Sequence, residues 1–544
     1  MENVYGIDLG TTYSCIAKVE EGGDGKATVF MNHEGELTTP SVVYFESDSN
    51  VVVGQVAKDS MEMEPEKTVA FVKRHIGKGD GFSFNYNGDE LKPEAISAFV
   101  LRKLVKDAES QTGEKVENVV ITHPAYFGQN EIQATKDAGT IAGLNVVALM
   151  PEPVAAAYAY GLSSPENYGK TILVYDLGGG TFDATLVKID EKEIRVITTG
   201  GDANLGGYNW DERLIDLMVD KICDQTSADR DELMEDPETR NLLQLKAEAI
   251  KIALSNTESQ RLQLRLPVGN VKDNVTIEEF ESATQDLCDR TILLTKDMLE
   301  QAKGKLGVDN VEISQILLVG GSTMMRQIPV AVRNEFGIEP LVFDPNQAVA
   351  KGAALYGATV GNYPDPVPVP DPVPVPDPVP VPDPVPVPNP DPDVSKIFGR
   401  TIKIVMVTSK SFGVAAYVGD EKKIKTIIKK QMDLPAHQMQ RFVTREDNMV
   451  EAELVFYETE SDEDSVELEF GRELGTAILG LPGNLPAGSP IEIQITVNEE
   501  GLLSFEGRDC TNGGVVTGVF EVKDGLTQQQ VNELREKHKD LVVE

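Results

Sequence analysis

Apolar positions in this chain follow two rhythms, and the change of rhythm divides it. Through the first 360 or so residues, short apolar runs that end in glycines alternate with stretches whose apolar residues recur every three or four positions. That alternation predicts strands and helices in α/β layers. Residues 172–187, ILVYDLGGGTFDATLV, show it most clearly: an apolar run ends at Asp176, three glycines follow, and a second run begins after Thr181. The pattern predicts a β-hairpin with a glycine-rich turn. Residues 4–17, VYGIDLGTTYSCIA, repeat the device, and ILLVGGST at 316–323 repeats it without the carboxylate. Further strands are predicted at 42–45, 51–53, 116–124 and 146–150. Helices are predicted at 129–143 and at 93–113, where Ile96, Phe99, Val100, Leu104 and Ala108 form one stripe. Residues 200–207 read as a glycine-dense loop, 208–255 as an inserted helical subdomain, and 347–356 as a helix of small residues.

The first rhythm stops at a tract in which every second residue from 364 to 392 is proline, with the unit DPVPVP recurring. Prolines remove half the N–H donors and push each intervening residue toward extended geometry, so a polyproline II spacer is predicted. A ligand for a proline-reading module is the alternative. Beyond it, short alternating segments at 401–407, 414–418, 424–428, 451–457, 491–497 and 502–507 predict a β-sandwich. A polar helix at 527–542, with Val531, Leu534 and Leu541 as its apolar positions, ends the chain. The fold class is therefore multidomain, with an α/β region at 1–362, a linker at 363–393, an all-β sandwich at 394–526 and a short helix at 527–544.

Charge and cysteine content narrow the partners. Fifty basic against 89 acidic residues leave a formal charge of −39. This argues against nucleic acid or an anionic membrane as the main partner, because both need clustered cations. The four cysteines are scattered, with no C-x-x-C pair, so neither a zinc knuckle nor a disulfide framework is indicated. A reducing cytoplasm fits. Met1 leads within three residues into the first strand, and no apolar run approaches membrane-spanning length.

The glycine turns carry the candidate chemistry. Without a Cβ in the way, backbone N–H groups converge into an anion-binding nest. Asp176 and Asp8 stand beside those nests, where a phosphate-bound Mg²⁺ takes a carboxylate or a water-mediated partner. Ordinary tight hairpins are the alternative for either turn alone. Two Asp-Gly-Thr hairpins at a domain-sized interval instead suggest an internally duplicated ATPase. The P-loop and the dinucleotide fingerprint are both missing. Glu152, held between two prolines at the mouth of a small-residue helix, is placed to position water or metal, or simply to complement the helix N-terminus. Lys73, Arg74 and His75 form a basic cluster that reads equally as a solvated one.

With these three motifs and the terminal β-region together, the chain resembles the heat shock protein 70 (DnaK-type) chaperones over nearly all its length except the proline tract. Glu446-Asp447-Asn448 and the closing stretch IEIQITVNEEGLLS at 491–504 set it apart from sugar kinases and actins. The resemblance implies an actin-like ATPase domain that controls a β-sandwich clamping extended apolar peptides, with ATP or ADP and Mg²⁺ as cofactors. Carried over by motif, Asp8 and Asp176 orient the waters on Mg²⁺, Thr11, Thr12 and Gly178–Gly180 cradle phosphates, and Gly10 and Tyr13 belong to the same cofactor site. Lys73, in the motif KRxIG, stabilises the attacking water and the γ-phosphate. Glu152 contacts the metal's water shell, and Thr181 with Asp183 completes the polar network. Gly206, Gly207, Glu248, Lys251, Gly320, Gly321 and Ser322 belong to the nucleotide site. Val414, Tyr417, Val443, Arg445, Ala452 and Leu454 fall at the positions of the peptide groove. The implied partners are unfolded or extended polypeptides, a J-domain co-chaperone and a nucleotide exchange factor.

The chain also departs from the pattern. Ile252 and Met324 stand where the family stacks adenine between two arginines, which predicts weaker nucleotide binding and fast ADP release. The family's apolar linker, which docks onto the ATPase domain with ATP, is replaced by the proline tract, and the helical lid is absent. Extended, the tract spans on the order of 85 Å. A rod of that length predicts two regions held apart, with weak or absent coupling unless residues 394–398, just past the prolines, dock in the linker's place. The competing readings are a nucleotide-binding scaffold or holdase without allostery and, further off, a sugar-kinase-like transferase.

Overall fold

The computed structural model describes residues 3–20, 26–360, 402–519 and 525–544. Val4–Asp8 and Tyr13–Val19 form the first hairpin, with Asp8 opposite Cys15. On its other side Val4–Asp8 pairs in parallel with Asn118–His123, which pairs in parallel with Asn145–Pro151. A second sheet repeats the scheme. Lys170–Leu177 and Phe182–Ile189 form the hairpin, Asp176 lies opposite Asp183, and Gln315–Val319 runs parallel to Lys170–Leu177. These central strands are covered on both faces, which is why they read as continuous apolar runs rather than alternating ones.

Two helices of small residues, Glu152–Ser163 and Ala348–Val360, pack against each other and against the strands. The contact depends on missing side chains. A Cβ on Gly352 would stand 1.8 Å from the Ala155 carbonyl oxygen, and one on Gly6 2.1 Å from the Ala354 nitrogen. This close approach brings the turns of the two hairpins to one cleft. Helices Gly207–Thr226, Pro237–Leu254 and Ile277–Leu306 cover the second sheet around buried Trp210, Leu214 and Met218. The glycine loop is shorter than expected, since Gly200 and Gly201 finish the strand Glu193–Asp202.

The later part of the chain is a sandwich of a five-stranded and a four-stranded sheet, its core filled by Phe412, Phe456, Leu474, Ile493 and Ile495. Residues 401–407 do not open it. Lys403–Val405 instead pairs in parallel with Glu193–Asp202 and extends the second α/β sheet, the Lys403 N–H donating to the Lys192 carbonyl at 2.8 Å. Every residue from 403 to 405 keeps its N–H, and Ile402 is buried in the α/β core with Ile404 packed against it, so this segment can do what prolines cannot. The proline tract itself lies outside the described residues.

The expected separation of the two regions is corrected with it. The sandwich packs on the α/β region. Gln129 N–H donates to Glu458 at 3.1 Å and Leu503 N–H to the Gln129 amide oxygen at 3.0 Å. Ion pairs join Arg472 to Glu131 at 2.8 Å, Arg195 to Asp433 at 2.5 Å and Lys136 to Glu500 at 3.2 Å. The terminal helix, Gln528–His538, also lies on the α/β region, and Val542–Val543 behind it pairs in parallel with Asn50–Val53. Arg102 holds this tail by donating to the carbonyls of His538 and Leu541, both at 2.6 Å. Among the described residues no helix is long and apolar enough to cross a membrane.

Candidate nucleotide cleft and client surface

Three glycine turns meet in a cleft of about 1540 Å³, counting its open mouth, lined by Asp8, Gly10, Thr11, Thr12, Tyr13, Lys73, Glu152, Asp176, Gly178, Gly179, Thr181, Glu248, Lys251, Gly320, Gly321 and Ser322. The glycines are there because backbones touch. A Cβ on Gly179 would stand 1.7 Å from Thr12 Oγ1, one on Gly180 2.6 Å from Thr11, and one on Gly206 2.5 Å from the Gly180 backbone. Gly320 has φ +81°, and a Cβ there would meet Asp176 at 2.6 Å. Gly207 N–H and Ser322 Oγ both donate to the Gly178 carbonyl, at 3.0 and 2.9 Å, which ties the second and third turns and the helix start together. Gly180, Gly206, Gly207 and Asp183 stand just behind the lining and shape it.

Beneath the turns, four acids face one lysine. Lys73 Nζ pairs with Glu152 at 2.5 Å, both buried. Burial, then the Glu152 charge, raises Asp8 to about 7 and Asp183 to about 8, with Lys73 opposing the shift. The same causes, with the charges of Asp183 and Asp8 added, hold Asp176 well above the usual carboxylate range. Asp183 accepts the Tyr126 N–H at 3.0 Å, whereas Asp176 Oδ2 is buried with no hydrogen-bond partner. An excess of buried negative charge with an orphaned oxygen is a site short of a cation. Among the described residues no three metal-binding side chains converge at ligand distance, so the donor set fits a divalent ion held through water and phosphate oxygens.

Farther up the cleft, Lys251 donates to the Gly207 carbonyl at 3.0 Å and pairs with Asp211 at 2.8 Å. Glu248 accepts from Tyr13 at 3.1 Å and pairs with Lys58 at 2.6 Å. Sequence reasoning missed Lys58, and also Ser255, Asn256 and Asn346, which line the cleft. No local signal marks them: Ser255 and Asn256 follow one helix and Asn346 comes from a distant loop, while Lys58 acts through its pair with Glu248. Ile252 and Met324 do face the cleft, and each leaves about half its surface exposed.

The six groove positions divide. Val414, Ala452 and Leu454 are buried in the sandwich core, Leu454 lying against Gly507 of the opposite sheet. They are therefore not open groove surface, because alternation along their strands turns them inward. Tyr417, Val443 and Arg445 lie outside, with the Arg445 guanidinium 3.7 Å from the Tyr417 ring centroid.

Two sheets of like topology that present glycine turns and buried carboxylates to a shared cleft define a phosphate-handling, nucleotide-binding protein. The Hsp70 protein family model matches residues 4–84 and 79–367. The chain is 34% identical to the chaperone protein DnaK of Halobacterium salinarum, covering 98% of this chain and 77% of that one. It is 33% identical to the chaperone protein DnaK of Thermotoga neapolitana, covering 99% and 83%. The chain belongs to the Hsp70 family of ATP-dependent chaperones.

Proposed function

We propose that the cleft hydrolyses ATP with Mg²⁺ and that the sandwich binds extended apolar segments of unfolded clients, the two coupled through the strand Lys403–Val405. The observation that carries the first part is the orphaned Asp176 oxygen among raised carboxylates, directly under the glycine turns. In this reading Thr11, Thr12 and the backbone of Gly178–Gly180 hold the phosphates, and Asp8 and Asp176 orient the waters around the ion. Bound Mg²⁺ supplies the positive charge that the acid cluster lacks. Lys73, fixed by Glu152, orients the attacking water and meets charge developing on the γ-phosphate. Thr181 and Asp183 keep the surrounding polar groups in register. This is catalysis by positioning and electrostatics, with no covalent intermediate.

Phosphate release from ATP with no added acceptor, measured with Mg²⁺ and after chelation, tests the reading. Asp176→Asn and Lys73→Ala are expected to lower the rate by roughly 10²–10³-fold with the fold retained. Wild-type turnover by either variant would show the assignment to be wrong. The second part rests on the exposed apolar residues at one end of the sandwich, and the third on the packing of sandwich against α/β region.

A further inference from the structure

Tyr417 stands near the end of the strand Ser411–Val418 in the five-stranded sheet, and Arg445 lies two residues past the strand Ala436–Val443, an edge of the four-stranded sheet. Their stack therefore bridges the ends of two sheets. Lys422 lies directly opposite Tyr417 in the strand register, so it shares that side chain's face. Among the described residues neither Arg445 nor Lys422 has an ion-pair partner, whereas nearby Arg441 is paired with Glu492 at 2.6 Å. Of the acids next to Arg445 in the chain, Asp447 is turned away to accept the Ala487 N–H at 2.7 Å. Two residues before Arg445, Val443 is 62% exposed, Val450 past the following loop is 67% exposed, and Met439 continues the Val443 face of the same strand. Arg445 and Lys422 thus stand as unpaired cations near exposed apolar residues in a chain of net charge −39, with exposed Glu446 following Arg445 and Glu421 engaged by Lys423 at 2.8 Å. A guanidinium laid flat on an aromatic ring keeps its N–H edge free and oriented, and that edge fits a carboxylate with two parallel hydrogen bonds.

We propose that the Arg445–Tyr417 stack is a specificity element of the client site: an extended segment whose apolar side chains lie on Val443 and Val450 is preferred when an aspartate or glutamate flanks its apolar run. This rests on the client-binding reading of the sandwich given above. The acid meets Arg445, with Lys422 adding to the local field. The apolar residues supply most of the affinity, and the charge at the rim supplies selection between peptides of equal hydrophobicity.

The test uses the full chain and three fluorescent peptides with one leucine–valine core, flanked by aspartate, asparagine or lysine, read by anisotropy. The aspartate peptide is expected to bind about threefold or more tighter than the lysine peptide, in line with a partly exposed charge pair, and the gap should narrow in about 0.5 M salt, which screens exposed charges. In Arg445→Gln the ratio of aspartate-peptide to lysine-peptide affinity should collapse toward one, and Arg445→Lys should restore part of it. Equal binding of the charged peptides, or a preference that survives Arg445→Gln, overturns the proposal and leaves client binding standing. If no peptide binds at all, the client-binding reading falls and takes the proposal with it.

Discussion

Arg472→Ala probes the contact between sandwich and α/β region. Arg472 joins Glu131 at 2.8 Å and approaches Glu458 at 3.8 Å, and it also donates to the Gly77 carbonyl. Glu458 and Glu131 are 7% and 11% exposed, and Glu131 Oε2 has no other partner. Removing one member of a buried ion pair costs about 3–5 kcal/mol. Arg472 itself is 29% exposed, so water reaches the pair and about half that figure, ~2 kcal/mol, is the reasonable expectation. This corresponds to roughly a 30-fold shift toward the undocked form. A pH dependence follows, because burial first and the Glu131 charge second raise Glu458 to about 7, against the opposing effects of the Gln129 N–H, Arg472 and Lys410. An exposed glutamate titrates near 4.3, so docking takes up a proton. It is strongest below about pH 4.3, weakens as pH rises through the window up to about 7, and is level above it. Without Arg472 the docked pKa of Glu458 rises further, so the variant's defect should be large at pH 8 and relieved near pH 5.5. Small-angle scattering with ATP present, together with hydrogen exchange at residues 402–405, reads the docked fraction. An Arg472→Ala protein as compact as wild type at pH 8 would refute the account of this interface.

Three further outcomes are expected. Lys403→Pro removes the N–H that bonds Lys192 and should release the sandwich, raising exchange at 402–405 and abolishing stimulation of hydrolysis by peptide; retained stimulation would mean the strand carries no signal. Gly179→Ala places a methyl group 1.7 Å from Thr12 Oγ1, so the hairpins must part and nucleotide affinity should fall at least tenfold in calorimetry, while a thermal melt without nucleotide moves little. Met324→Arg offers the purine a cation–π partner worth about 0.5–2 kcal/mol and should tighten ADP binding, and unchanged affinity would show that Met324 does not face the base.

The α/β alternation, the two Asp-Gly hairpins and the sandwich strands were legible because each is written in a local period. The run before Asp176 is buried on both faces, and the segments after residue 411 alternate. Glycines marked the cleft for the same reason: close backbone approach excludes a Cβ wherever it occurs, so the composition of the turns already carries the geometry. Local pattern could not say that Ile402–Val405 would leave the sandwich and join another sheet, since an apolar alternating segment fits either edge until a partner strand is present. Nor could it say that Val414, Ala452 and Leu454 turn inward while Tyr417 and Arg445 meet across two sheets, because the register that decides this is set by pairing. The proline tract encouraged a picture of two separated regions, but Arg472 of the sandwich meets Glu131 of the α/β region, 341 residues away in the chain. The sequence by itself determined most of the strand and helix segments, where the glycine turns fall and where charge is concentrated. Only the tertiary structure decided which of them touch, because burial and ion pairing are properties of surfaces that exist once distant segments have packed.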